Sequence, residues 1–122
     1  MVLCDTNILI HSFNGRDDTV SRLRQIGLDQ IALSVITVME LYQGMGNKTE
    51  LARMKRKIKY FDIVEIDIAI SRLATELIEK FKLSHGLQIP DALIGATSVI
   101  HNIPLYTYNV KDFNFIPGIE LI

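Results

Sequence analysis

The stretch VLCDTNILI, residues 2–10, changes periodicity at a single acidic residue. Val2-Leu3-Cys4 is a short apolar run of the kind that forms a buried strand, and it ends at Asp5. The residues that follow, TNILIHSF (6–13), suit a short helix that Asn14-Gly15 would stop. A buried strand handing the chain to a helix through a carboxylate is the opening of an α/β layer structure.

The same succession recurs outward from there. Asp17 and Asp18 predict the cap of a helix that runs through Arg24 and stops near Gly27. Ile31-Ala32-Leu33 is a second strand with Ser34 at its carboxyl end. From Val35, apolar Val38, Leu41 and Tyr42 keep helical spacing until Gly44-Met45-Gly46-Asn47. Lys48 to Tyr60 is a further helix, strongly basic along its second half, and Ile63-Val64 with Ile66 is a third strand. Asp67 caps the next helix, which extends to about Leu83 with Ile70, Leu73, Leu77, Ile78 and Phe81 on one stripe. Ser84-His85-Gly86 ends it, and Pro90 opens another helix that reaches His101. Leu105-Tyr106 and Ile119 to Ile122 complete the strands. Short apolar strands alternating with amphipathic helices predict an α/β fold, a three-layer α/β/α arrangement around a central, mainly parallel sheet. Residues 1–122 form a single domain on this reading, with no repeat, low-complexity segment or linker.

Composition narrows the partners. The chain is 48% apolar and 22% charged, with a formal net charge of −1, so no global field draws it to nucleic acid or membrane. Any RNA contact must come from a local basic patch, and the best candidate is Arg53, Lys55, Arg56, Lys57 and Lys59. A charge run of this kind is also what a solvated helix face looks like. The lone cysteine, Cys4, rules out an internal disulfide and any multi-cysteine zinc site, and its apolar setting suggests a buried, inert thiol. No segment is long enough to span a membrane and no signal-peptide pattern opens the chain, so the cytoplasm is the expected location. His11, His85 and His101 show no ligand spacing.

The acidic residues are placed more tellingly. In open parallel sheets, functional groups gather beyond the carboxyl ends of the strands. Asp5 follows the first strand, Glu40 lies on the helix after the second, Asp91 is in the first turn after Pro90, and Asn109 and Asp112 follow Leu105-Tyr106. Converging carboxylates repel one another and lose hydration, which a bound cation offsets. Oxygen ligands without cysteine favour Mg²⁺ or Mn²⁺ over zinc. Each residue also has a plainer role open to it. Asp5 could cap the first helix, Thr37-Val-Met-Glu40 matches a capping box, Asp91 suits a helix dipole, and Asp112 could form a turn.

Four segments together, VLCDTNILI (2–10), SVITVMELYQG (34–44), IPDALIGATSV (89–99) and TYNVKDF (107–113), resemble the signature regions of PIN domains, most closely the VapC toxins of bacterial toxin–antitoxin pairs. The resemblance spans nearly the whole chain. It implies a metal-dependent endoribonuclease with Mg²⁺ (or Mn²⁺) held by Asp5, Asp91 and Glu40. Asn109 falls where the family carries a fourth Asp or Asn, and Asp112 matches the acid before its usual Phe, here Phe113. Thr6, Asn7 and Thr107 match polar residues that orient the carboxylates. It further implies an RNA substrate, a cognate VapB-like antitoxin and a homodimer. One departure is Tyr108, where many relatives carry arginine; as a loop tyrosine beside the site it is a candidate for stacking on bases. Three other functions share these residues: an aspartate-nucleophile phosphatase, a non-catalytic RNA-binding or interaction module, and a housekeeping RNA-processing nuclease. The phosphatase normally needs an aspartate where Asn7 stands.

Overall fold

The computed structural model describes residues 1–122. Four strands form one sheet: β1 (Val2–Cys4), β2 (Ile31–Ser34), β3 (Asp62–Val64) and β4 (Leu105–Tyr106). Their order is β3-β2-β1-β4, and every pairing is parallel. Six helices accompany them: α1 (Thr6–Phe13), α2 (Asp17–Ile26), α3 (Val35–Gln43), α4 (Lys48–Ile58), α5 (Ile68–His85) and α6 (Ile89–His101).

Strand alternation sorts the core into two faces. Leu3, Ala32 and Leu105 point to one side and pack with α5, α6, Phe113 and Ile116. Their chain neighbours Cys4, Ile31, Leu33 and Tyr106 point to the other and pack with α1 to α4. Successive side chains of a strand project to opposite faces, so strands this apolar must be covered on both. The result is the three-layer α/β/α arrangement expected from the sequence.

Local chemistry sets the helix ends. Ser34 Oγ accepts from Ile36 N–H (3.1 Å), Asn47 Oδ1 from Glu50 N–H (2.9 Å) and Asp67 Oδ1 from Ile70 N–H (2.8 Å), each capping a helix start. Gly86 takes the left-handed conformation, φ 69°, that ends α5. Asn102, φ 52°, does the same for α6. Three details differ from expectation. Arg16, not an aspartate, precedes α2 and makes no side-chain cap, while the one backbone amide that Asp18 accepts from is the adjacent Thr19 N–H (3.0 Å). The α5 helix runs on to His85 because only Gly86 supplies the left-handed residue. The tail at 119–122 adds no full strand: it contributes one parallel bridge, Leu105 to Leu121, since the two-residue β4 offers nothing longer to pair with.

Side chains between β4 and that tail position the segment after β4. Phe113 is fully buried, and α6 approaches it and Ile116 through Gly95, where a Cβ would lie 2.6 Å from Ile116 Cδ1. Replacing Phe113 by alanine should therefore cost about 3–5 kcal/mol of stability in a denaturant melt, as for large aromatic core deletions.

Candidate active site

The sheet reverses direction of growth at the seam between β1 and β4: β2 and β3 extend from one side of β1, and β4 joins on the other. Ligands bind open parallel sheets outside such a switch point, at the carboxyl ends of the strands. Asp5 sits there, only 4% exposed. Its Oδ1 accepts from the Thr6 N–H (2.8 Å), which makes it the cap of α1, and its Oδ2 accepts from Thr107 Oγ1 (2.9 Å), from just beyond β4. Thr107 Oγ1 in turn accepts from the Asn109 N–H (2.9 Å). Capping and site membership are thus both true of Asp5, one for each oxygen.

Glu40 is brought to the same place by α3. Its Oε1 accepts from Thr6 Oγ1 (2.8 Å), and Thr6 Oγ1 stands 3.1 Å from Thr37 Oγ1. The capping-box reading of Thr37 and Glu40 fails, because Ser34 caps α3 and Thr37 lies inside the helix. Thr37 is fully buried and belongs to the site's support, a role the four-residue spacing disguised. Asp91 arrives on the first turn of α6.

Electrostatics tie the group together. Burial raises the carboxyl pKa of Asp5 above its ordinary value, the bonds from Thr107 and Thr6 oppose that rise, and the charges of Glu40 and Asp112 add to it. Asp91 is pushed up to about 6, first by burial and then by Asp5, Asp112 and Glu40. Asp112 is therefore close enough to act on both aspartates and supplies a fourth carboxylate. Asn109, exposed, contributes its backbone N–H. No lysine, arginine or histidine pairs with any of the four carboxylates; the one ion pair in the chain is Arg16 with Asp18. Cys4, beneath the site, has its thiol pushed up to about 12 by burial and by the charge of Asp5, as befits an inert core thiol.

This donor set suits a hard divalent cation. The repulsion among the four carboxylates is met by no protein cation, and it adds to the rise in the pKa values of Asp5 and Asp91 that burial begins. No three acidic side chains stand as ready ligands of one point. The arrangement fits an ion that keeps several waters, as Mg²⁺ does, better than an all-protein cage.

Two expected contributors are placed differently. Asn7 is exposed and its side chain makes no hydrogen bond, because its place on α1 turns it away from the sheet seam that Thr6 faces. Tyr108 is tethered: its hydroxyl bonds Thr19 Oγ1 and Tyr106 OH (3.1 Å), and its ring packs against His11 at 5.1 Å between centroids. The fully buried Thr19, which anchors this loop to α2, carried no signal in the sequence. The basic run divides. Arg53 and Lys57 line a recess next to Glu40, whereas Lys55 and Arg56 point elsewhere on α4 and Lys59 lies over the Tyr60 ring (5.4 Å).

Comparison with known proteins agrees with this architecture. The PIN domain family model matches residues 2–116. Ribonuclease VapC1 of Methanocaldococcus jannaschii is 32% identical over 92% of this chain and 78% of its own length. Among solved structures, a toxin–antitoxin complex from Klebsiella pneumoniae superposes with a TM-score of 0.83 at 34% identity, covering 100% of this chain and 96% of that one. VapBC2 from Rickettsia felis, bound to a DNA fragment from its promoter, gives 0.84 at 25% identity, with 100% and 98% covered. With its switch-point carboxylates, parallel sheet and near full-length family match, the chain belongs to the PIN domain family.

Proposed function

We propose that this protein is a metal-dependent endoribonuclease, the VapC-like toxin of a toxin–antitoxin pair, hydrolysing phosphodiester bonds of RNA with Mg²⁺ or Mn²⁺. The observation that carries the reading is the set of four carboxylates, Asp5, Glu40, Asp91 and Asp112, gathered without a protein counter-charge. Relatives named ribonuclease VapC and neighbours solved as toxin–antitoxin complexes supply the substrate class and the partner. A VapB-like antitoxin, a homodimer and the cytoplasm complete the proposal. No helix is long and apolar enough to cross a membrane.

Asp5 and Asp91 would hold the ion, with Glu40 and Asp112 completing its surroundings directly or through water. When bound, the ion lowers the pKa of water and draws charge from a non-bridging phosphate oxygen. Asp5 is clamped at both oxygens, so its remaining lone pairs present a fixed direction. Glu40 is held at Oε1 only, which leaves Oε2 to accept the proton of the attacking water. Thr6 couples the two, donating its amide to Asp5 and its hydroxyl to Glu40, so a shift of α1 moves both together. Thr107 transmits the position of β4 to Asp5.

Three outcomes are expected. Purified, inhibitor-free protein should cut a mixed RNA pool in Mg²⁺ or Mn²⁺ and not in EDTA, and Asp5→Asn should lower the rate by on the order of 10²–10⁴-fold. Normal metal-dependent cutting by the variant would refute the assignment. Thr107→Val, which removes a bond to a ligand without touching the ligand, should raise the Mg²⁺ concentration for half-maximal rate by about 10-fold, within the range for outer partners of metal ligands.

The third concerns pH. A carboxyl raised from 3.8 to about 6 holds its proton more tightly folded than unfolded. Its contribution to stability is thus present below the unfolded value and lost as pH rises through the folded one. Metal-free protein should lose stability across that window, and Asp91→Asn should not lose this share. In EDTA, the two proteins should melt alike near the low end and the variant should melt higher above the window. A gap that fails to open with pH would show that Asp91 does not carry the strain.

A further inference from the structure

Between α1, α3 and α4 lies a recess of about 350 Å³ that the four carboxylates do not account for. Five of its eleven lining residues are apolar: Ile10 and Phe13 from α1, Leu41 from α3, Met45 from the loop after it, and Met54 from α4. Arg53 and Lys57, one helical turn apart on α4, line it as well. Glu40 belongs both to this recess and to the acidic site, so the two share an edge.

Neither cation has a carboxylate partner, although Glu50 lines the same recess. Glu50 is occupied elsewhere: its Oε2 accepts from the Gly46 N–H (2.7 Å) at the start of α4. Lys57 instead lies over the Phe13 ring, its Nζ 5.0 Å from the centroid, a contact that leaves the ammonium charge uncompensated. An apolar floor with two unpaired cations fits an anionic ligand with a flat, apolar body. The volume lies within the range of small-ligand pockets.

We propose that this recess is a subsite for one unpaired nucleotide next to the scissile phosphate, with its base among Met45, Met54 and Ile10 and its backbone phosphate on Arg53 and Lys57. The inference rests on the ribonuclease reading and deepens it by placing one turned-out nucleotide of the substrate in the recess beside Glu40. Duplex RNA keeps its bases stacked and cannot fill the recess. Only the half of the basic run that faces the recess takes part; Lys55 and Arg56 do not.

The test is binding, read separately from cleavage. A fluorescein-labelled, single-stranded 12-nucleotide RNA of mixed sequence is titrated in EDTA with wild type and three variants, their folding checked by thermal melts. Arg53→Ala/Lys57→Ala should weaken binding at least about fivefold and flatten the logarithmic salt dependence by about 0.7–1.4, the share of one or two phosphates on a single strand. Lys55→Ala/Arg56→Ala should weaken it less than about twofold. Met45→Trp, which fills the recess and keeps both cations, should weaken it at least about threefold. Equal loss in the two charge pairs, a neutral Met45→Trp, or no RNA binding by any form overturns the subsite. Unaltered RNA affinity in all three variants likewise overturns it. Failure of metal-dependent cleavage by wild type would sink the ribonuclease reading, a result distinct from any of these.

Discussion

The arrangement depends on a repulsion that the fold leaves uncompensated. Four carboxylates meet at the carboxyl edge of a parallel sheet, and no basic side chain pairs with any of them. Such a cluster is costly to desolvate and to crowd. It persists because the surrounding structure holds each member from outside: Asp5 by backbone and hydroxyl donors, Glu40 by Thr6, Asp91 by the first turn of α6, and Asp112 by the turn that ends at the buried Phe113.

The threonines explain how distant segments keep register. Thr6, Thr37 and Thr107 are all buried, and each uses its hydroxyl to join elements far apart in sequence. Thr107 spans the β1–β4 seam, and Thr6 spans α1 and α3. A hydroxyl that both donates and accepts can link a carboxylate to a backbone amide, as Thr107 does between Asp5 and Asn109. A second polar chain, Thr19–Tyr108–Tyr106, ties the loop after β4 to α2. The loop that carries Asp112 is thereby fixed at two levels, by Tyr108 in the α1–α4 layer and by Phe113 in the opposite core.

Packing and chemistry are coupled at the same places. Gly95 lets α6 approach the tail closely enough for Phe113 and Ile116 to seal the core, and Asp91 lies one turn earlier on that helix. On the other side, α4 completes the core through Met54 and Ile58 while turning Arg53 and Lys57 to the recess beside Glu40. One helix face packs into the core and the next lines the recess, a division that follows from the 3.6-residue repeat.

Periodicity and punctuation in the sequence were enough for the α/β class, for the strands at Val2–Cys4, Ile31–Leu33 and Leu105–Tyr106, and for the helix cap at Asp67. Local signals of this kind act over a few residues and survive without knowledge of the fold. The same locality let Asp5, Glu40, Asp91 and Asp112 be singled out, since each follows a strand, opens a helix or lies on the helix after a strand. Locality also misled, because Thr37 and Glu40 match a capping box that Ser34 forestalls. Only the tertiary structure decided that Thr6 serves two carboxylates at once, that Asn7 serves none, and that Thr19 restrains Tyr108. It alone divided the basic run into a half that faces the recess and a half that does not. These outcomes depend on contacts between elements 30 to 100 residues apart, such as Thr107 with Asp5 and Thr6 with Glu40. Strand order and helix rotation set such contacts, and neither is written in any short stretch of chain.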